Sequence, residues 1–315
     1  METEKPKIAL YVKRSFGEKF NASFDFIKEN WKLMLKYATY LLLPLCLVQA
    51  LSLNGLMTYT IGMSGLMESG AMYSDSALLM SFFSYYSLYM LLLIIGIVLL
   101  TALVYAIIRT YNEREGRLQG VTLGVLRPML LRNVKRMFIL VFFGLILTML
   151  ASLIIGVIVA LFPIALLPIV MMLIPFMIAI AVPFSLWAPI YLFEDISAMS
   201  SLKKAFRLGF ATWGGIFMIS LVMGIIAGIL QGVTLIPWYI GTVVKYIFAT
   251  SGGGTEATVS VGYSFLLYLL AVVQAFGAYL AMIFSFVGLA YQYGHASEKM
   301  DSIMVESDID NFDKL

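Results

Sequence analysis

The side chains best suited to acid–base or metal chemistry are few in this chain. Glu194 and Asp195 follow a long apolar stretch, and His295 is the only histidine. A metal or acid–base centre needs several such groups gathered in a protected place. We find no G-x-S-x-G, H-E-x-x-H, Walker or paired-cysteine motif. We therefore expect no catalytic, metal or cofactor site, and interpret the two acids as a helix end that meets water; the alternative is a cation or substrate site.

Lysines and arginines do form a pattern. All of the 21 except Lys245 lie in residues 1–36, 109–136, 203–207 or the C-terminal tail, and long apolar stretches separate these segments. Each cation near an anionic leaflet contributes about 1 kcal/mol of attraction. The candidates for binding lipid headgroups are Lys28, Lys32, Lys36, Arg132, Lys135, Arg136, Lys203, Lys204 and Arg207. The other interpretation is that these cations only set membrane topology.

Six apolar segments must position these cations. The chain is 61% hydrophobic and 12% charged, against roughly 45–50% and about 25% in soluble domains. Apolar segments of about 18 or more residues are typical of transmembrane helices. We place the spans at about 33–53, 82–108, 137–161, 164–192, 213–236 and 263–291. The sequence thus predicts an all-α, polytopic membrane helical bundle, with one transmembrane domain over residues 1–294.

Prolines are concentrated in the fourth predicted span. Pro175, Pro183 and Pro189 all fall inside it. A proline has no backbone N–H to donate and clashes with the preceding helical turn. We expect this span to be kinked or broken.

The cations also predict an orientation. Cytoplasmic loops retain lysine and arginine, whereas translocated loops lose them. In a six-span chain the four cationic segments all fall on one side, so we expect cytoplasmic N- and C-termini. Residues 295–315 carry more acids than bases. We interpret them as an acidic, flexible tail that is free to bind a cytosolic partner.

A basic, half-apolar segment precedes each odd-numbered span. The first covers about 13–31, the second 122–137, and the third carries the stripe Met199, Leu202, Phe206, Phe210 and Trp213. Such a helix can lie in the membrane interface with its apolar face down. We predict three cytoplasmic interfacial helices and a threefold internal repeat. The alternative is that any cytoplasmic loop entering a membrane looks basic and half apolar.

Two of these segments carry a resemblance to known proteins. They are SFGEKFNASFDFIKENWKLML and ISAMSSLKKAFRLGFATWGGIFMI, and in the second an SLKKAFRLG helix precedes a tryptophan at the membrane entry. The pattern resembles bacterial six-span membrane proteins: the YciC-like proteins of unassigned activity, and the membrane domain attached to some glycerophosphodiester phosphodiesterases. The resemblance implies a helical fold in the bacterial cytoplasmic (inner) membrane and a link to lipid or envelope homeostasis. We find no counterpart of the soluble phosphodiesterase domain in this sequence.

The fifth predicted span contains a stripe of small residues. Gly224, Gly228 and Gly232 recur at four-residue steps, which places them on one helix face and allows close helix packing. The helix packed there belongs either to this chain or to a second copy, so a homo-oligomer is one outcome.

The sequence as a whole favours a non-enzymatic structural or regulatory membrane component that engages anionic lipids. The alternative is a transporter or lipid flippase for a hydrophobic or amphipathic substrate, with its path beside the fourth span. Neutral polar residues at membrane depth, such as Gln49 and Gln274, would suffice for such a path. We expect no cofactor and no nucleic-acid partner.

Overall fold

The computed structural model describes residues 6–68, 76–161, 166–251 and 260–303. Every regular element within these ranges is a helix, which confirms the predicted all-α fold for this part of the chain. The helices are α1 (Phe16–Glu68), α2 (Ser76–Glu113), α3 (Leu123–Leu161), α4 (Leu166–Phe184), α5 (Trp187–Phe193), α6 (Ala198–Ala211), α7 (Trp213–Ser251) and α8 (Val261–Asp301).

Six helical segments in the described ranges are long and apolar enough to cross a bilayer. They are Phe16–Thr60, Ser76–Glu113, Leu123–Leu161, Met171–Phe193, Trp213–Phe248 and Val261–Asp301. Each contains most of one predicted span, so the prediction of six spans is confirmed at the level of length and composition. This architecture is that of a multi-pass membrane protein.

The predicted interfacial segments differ in how they connect to the spans. The first is not a separate helix, because α1 continues without a break from Phe16 to Glu68. The second is likewise the beginning of α3, which passes through Pro128. Only the third is a helix of its own, α6, which Thr212 separates from α7. A position in the membrane interface and a threefold repeat stay predictions.

The chain divides into two compact units, and the single transmembrane domain over residues 1–294 stays a prediction. Unit 1 comprises Met1–Trp31, Thr101–Met223 and Phe284–Leu315, and unit 2 comprises Lys32–Leu100 and Gly224–Ile283. Each unit joins segments that are distant in sequence. No change in composition marks the boundaries, because they fall inside continuous helices.

Within unit 1, the fourth span is broken, as predicted. Helix α4 ends one residue after Pro183, and α5 begins at Trp187. Proline cannot bond to the carbonyl four residues earlier, which is that of Ala179. The indole N–H of Trp213 donates to this carbonyl at 3.1 Å and satisfies it. A Cβ on Gly209 would lie 2.5 Å from Pro183, so the glycine lets α6 pack against the break.

Residues 6–15, the first that the structure describes in unit 1, form a non-helical segment that is anchored to α2 and α8. The backbone N–H of Leu10 donates to the side chain of Asn112 at 2.8 Å. The Lys7 ammonium donates to the Asn112 carbonyl at 2.6 Å, at the end of α2, where a cation also complements the helix dipole. On the other side, Gly294 of α8 packs directly against the Leu10 carbonyl. No pattern in the sequence predicted these contacts.

The end of α8 requires a correction to the predicted tail. The tail was expected to begin at residue 295, but α8 continues to Asp301. Ala296, Ser297 and Glu298 are buried. The physical reason is that Asp301 has basic partners within unit 1, as described below. Residues 304–315 lie outside the described residues.

Unit 2 is held together by close packing and by polar contacts at membrane depth. The Tyr279 hydroxyl donates to Gln49 Oε1 at 2.8 Å, and both residues are buried. Gly96 makes room for the Tyr279 ring. Such hydrogen bonds between helices explain polar residues in apolar spans without a transport function.

Candidate functional site

The three residues with potential metal or acid–base chemistry do not form one centre. Glu194 and Asp195 have separate cationic partners. The Nδ1 atom of His295 accepts a hydrogen bond from the backbone N–H of Arg14 at 3.0 Å. Within the described ranges, no three His, Cys, Asp or Glu side chains are grouped so that they could hold a metal ion.

Glu194 is the centre of a polar cluster in unit 1. It directly follows α5, and one of its carboxylate oxygens lies 2.8 Å from the Lys204 ammonium of α6. The same oxygen accepts a hydrogen bond of 2.8 Å from the hydroxyl of Tyr293, which is fully buried in α8. The Tyr11 hydroxyl lies 3.3 Å from that of Tyr293. Because Tyr293 donates its only proton to Glu194, Tyr11 must be the donor to Tyr293.

Asp301 extends this cluster to the end of α8. Its carboxylate lies 2.9 Å from Lys204 and 2.7 Å from Arg207, both in α6. Lys204 therefore bridges two carboxylates that come from different segments. We call Tyr11, Glu194, Lys204, Arg207, Tyr293 and Asp301 the ion-pair cluster.

The ionisable groups of the ion-pair cluster stay charged because they pair with one another. Burial alone lowers the pKa of Lys204, but hydrogen bonds and attraction to Glu194 and Asp301 outweigh it, so the pKa is raised. Burial raises the pKa of Tyr11, and the hydrogen bond with Tyr293 only partly offsets this effect. Lys204 thus stays protonated and paired at neutral pH. Such a closed, charge-balanced arrangement fixes structure and leaves Lys204 little capacity to bind an external anion.

Two predicted headgroup cations of α3 contact the segment between α5 and α6. Arg136 donates to the carbonyls of Glu194 and Ile196, each at 2.9 Å. Its guanidinium also lies over the Tyr191 ring, 3.9 Å from the ring centroid. Arg132 pairs with Asp195. Arg136 therefore holds the segment in place through several contacts, and Arg132 through its ion pair with Asp195.

The outward side of α6 has the opposite character. One side of the helix is buried: Ala198, Ser201, Leu202, Ala205, Leu208 and Gly209. On the other side, Met199 and Phe210 are 49% and 58% exposed. Lys203 and Arg207 are exposed beside them. Lys203 makes no ion pair in the part of the chain that the structure describes.

The predicted stripe on α6 is only partly correct. Met199 and Phe210 lie on the outward side, but Leu202 is buried against unit 1. We call Met199, Lys203, Arg207 and Phe210 the outward face of α6. It combines large exposed apolar groups with exposed cations, which is the composition of a surface that enters the headgroup layer of a membrane.

The other headgroup candidates lie in several places. Lys28 and Lys135 are exposed in unit 1, and Lys32 and Lys36 are exposed in unit 2. Lys28 lines a cavity of about 720 Å3 together with Arg14, Glu18, Asp25 and Glu29. Because this cavity carries both signs of charge, it does not select for an anion. All of these cations stay predicted lipid contacts.

The glycine stripe does not contact another described helix of this chain. A Cβ added at Gly224, Gly228 or Gly232 would have no atom within 4 Å. The first two glycines are exposed, and the third is half-buried. Of the two interpretations, close packing within the chain is therefore not seen here, and packing against a second copy stays a prediction.

No protein-family model, no curated protein and no solved structure matches this chain. The class that the fold defines is an all-helical protein with six apolar helices able to cross a bilayer. The resemblance to YciC-like proteins stays a prediction.

The sequence analysis identified the cationic residues but not which of them form ion pairs within the described part of the chain. Lys203 and Lys204 are neighbours, yet they lie on different sides of α6. The partners Tyr11, Tyr293 and Asp301 were missed because their positions are set by distant segments. The sequence does carry a local signal for the start of α1, because Ser15 and Glu18 form a capping box there.

Proposed function

We propose that this protein is a non-enzymatic structural or regulatory component of a membrane that engages anionic lipids through the outward face of α6. The observation that carries the proposal is the exposure of Met199 and Phe210 beside Lys203 and Arg207. In water such apolar exposure is unfavourable. In a headgroup layer, the apolar groups reach the acyl boundary while the cations meet lipid phosphates.

The ion-pair cluster supports this assignment by holding α6 in place. Lys204 and Arg207 bind Asp301, and the Trp187 indole donates to the Ala198 carbonyl and the Ser201 hydroxyl at 3.0 and 2.9 Å. The outward face is therefore rigidly presented. A structural or regulatory role needs such a fixed surface and no reacting group.

The location belongs to the same proposal. In a six-span arrangement the segments that carry all lysines and arginines except Lys245 would fall on one side, which favours a bacterial cytoplasmic membrane with both termini in the cytoplasm. The acidic residues after α8 would then be available to a cytosolic partner. A second copy of the chain is a further candidate partner.

The test uses two neighbouring lysines as a matched pair. Full-length protein is placed in nanodiscs that contain phosphatidylglycerol and phosphatidylcholine, and native mass spectrometry counts the retained lipids and the protein copies. We expect wild type to retain phosphatidylglycerol preferentially. Lys203→Gln should lower its occupancy about fivefold, the effect of losing one cation near the surface. Lys204→Gln should lower thermal stability instead and leave the lipid preference intact.

Two outcomes would count against the proposal. Equal phosphatidylglycerol retention by wild type and by the double variant Lys203→Gln/Arg207→Gln would remove the role of the outward face. Movement of a fluorescent lipid across proteoliposomes that requires the protein would favour the flippase alternative.

A further inference from the structure

Lys245, the one lysine outside the cationic segments, lines a pocket within unit 2. The pocket lies between α1, α7 and α8 and has a volume of about 240 Å3. Its polar lining residues are Asn54, Thr58, Thr242, Lys245, Tyr246 and Ser264. This site is separate from the outward face of α6 and does not depend on the function proposed for that face.

Hydrogen bonds around the pocket leave mainly donors for a ligand. The Trp238 indole donates to Asn54 Oδ1 at 2.9 Å, and the Asn54 side-chain NH2 group makes no hydrogen bond among the residues that the structure describes. The Lys245 ammonium has three N–H groups, and it makes no hydrogen bond or ion pair in the described part of unit 2. The hydroxyls of Thr58 and Thr242 donate to backbone carbonyls, which fixes their orientation.

The charge of the pocket favours an anion. Its described lining contains one cation and no carboxylate. Among the described residues the half-buried Lys245 ammonium has no counter-ion, which is costly, and a phosphate or carboxylate oxygen would supply a partner. The rest of the wall is apolar, with Met57 and Leu267.

The surroundings indicate the level of a membrane boundary. Lys245 follows 32 uncharged residues of α7, which at about 1.5 Å per residue span about 48 Å, enough to cross the roughly 30 Å hydrocarbon core and reach its far boundary. Ser264 lies in the first turn of α8. Trp238, Tyr239 and Tyr263 lie nearby on the same helices, and such aromatic residues are typical of the interface.

We propose that the Lys245 pocket binds the phosphate of a phospholipid headgroup, with the lipid chains continuing along the apolar wall. Lys245 and the Asn54 side-chain NH2 group supply the donors to the phosphate oxygens. The volume is smaller than that of a typical pocket for a drug-sized ligand, roughly 300–1,000 Å3, and suits a headgroup better than a whole soluble metabolite. Free inorganic phosphate offers the same chemistry and is distinguished by the experiment.

The experiment maps binding at this pocket alone. Full-length protein in nanodiscs is irradiated with a phosphatidylglycerol analogue that carries a diazirine in its headgroup, and mass spectrometry locates the adducts. We expect labelling of peptides around residues 242–246 and 260–267. Lys245→Gln should reduce labelling about fivefold or more. Asn54→Asp keeps the acceptor for Trp238 but replaces the donor with a negative charge, and should abolish labelling.

Control variants separate ligand binding from misfolding. Lys245→Arg keeps the charge and should keep the labelling. Tyr239→Phe, on the same helix but outside the pocket, should also leave the labelling unchanged.

Competition by millimolar inorganic phosphate would identify a soluble anion as a second source for the same site, and lack of competition would identify the lipid alone. Labelling that is absent in wild type, or unchanged in both Lys245→Gln and Asn54→Asp, would overturn the proposal. Because α6 peptides are read separately, failure here is distinguishable from failure of the proposed function.

Discussion

The ammonium of Lys204 in α6 lies 2.9 Å from the carboxylate of Asp301 at the end of α8. Both side chains are less than one-fifth exposed. The contact ties the last described acidic residue to the helix that presents Lys203 outward. The first residues of the predicted flexible tail are therefore a structural part of unit 1.

Removing the Asp301 charge should loosen the end of α8. Asp301→Asn leaves Lys204 with Glu194 alone and removes the ionic partner of Arg207. We expect a loss of about 1–3 kcal/mol, between the values typical of exposed and of buried ion pairs. Thermal unfolding in nanodiscs and hydrogen exchange of residues 295–303 measure the effect.

Asp195 provides the matched control for this change. Its side chain is 66% exposed although it also pairs with arginines. Asp195→Asn should cost less than about 1 kcal/mol because solvent screens the pair. Equal effects of the two substitutions would contradict the structural role assigned to Asp301.

The contribution of Lys204 to stability should depend on pH. Its pKa is raised above the ordinary value of 10.5 by Glu194 and Asp301, against the lowering effect of burial. A raised folded-state pKa means that the stabilisation is fully present below about pH 10.5 and is lost as the pH rises through the higher folded-state pKa. We therefore expect the stability difference between wild type and Lys204→Gln to be constant from pH 7 to 9 and to shrink above about pH 10.5.

The other groups titrate in both proteins. The difference in stability between wild type and Lys204→Gln therefore does not contain their contribution. Lys203→Gln serves as the control, since Lys203 makes no ion pair within the described residues. Its stability should follow wild type at every pH. A difference between wild type and Lys204→Gln that stays constant through high pH would show that the ion pairs do not stabilise the fold.

Among the glycines, Gly294 should be the one whose substitution most weakens the anchoring of the N-terminal segment. A Cβ at this position would overlap the Leu10 carbonyl oxygen, so Gly294→Ala must displace backbone. We expect a loss of about 1–3 kcal/mol, as for overpacked cores, and faster proteolysis of residues 6–15. Gly214→Ala is the control, because a Cβ there has no atom within 4 Å. If residues 6–15 keep wild-type protection in Gly294→Ala, the close packing is not needed for anchoring.

Gly224 should tolerate a large side chain in the monomer. No atom lies within 4 Å of its added Cβ, whereas a Cβ at Gly288 would lie 2.8 Å from Met223 Cγ. We expect Gly224→Leu to keep the thermal stability of wild type and Gly288→Leu to lower it. Crosslinking in the membrane then tests for a second copy: if the glycine stripe forms a dimer contact, Gly224→Leu removes the crosslinked dimer while the monomer stays folded. Equal destabilisation by both substitutions would contradict the exposed position of Gly224.

The sequence predicted features that depend on composition and local chain chemistry. Long uncharged apolar segments identified the six spans because burying polar backbone in lipid is possible only in a helix that satisfies its own hydrogen bonds. Pro183 and its neighbours predicted the break in the fourth span because proline cannot donate a backbone hydrogen bond. Each of these signals lies within one segment and does not depend on contacts with other segments.

Only the tertiary structure decided which cations are available. Lys203 and Lys204 have the same chemistry and adjacent positions, but a rotation of about 100° between neighbouring helix residues sends one outward and the other towards Glu194 and Asp301. The same reason explains why Lys245, an exception in the charge pattern, became a candidate ligand-binding residue. Its pocket is formed where α1 meets the consecutive helices α7 and α8, which are distant from α1 in sequence, and no local pattern records that they meet.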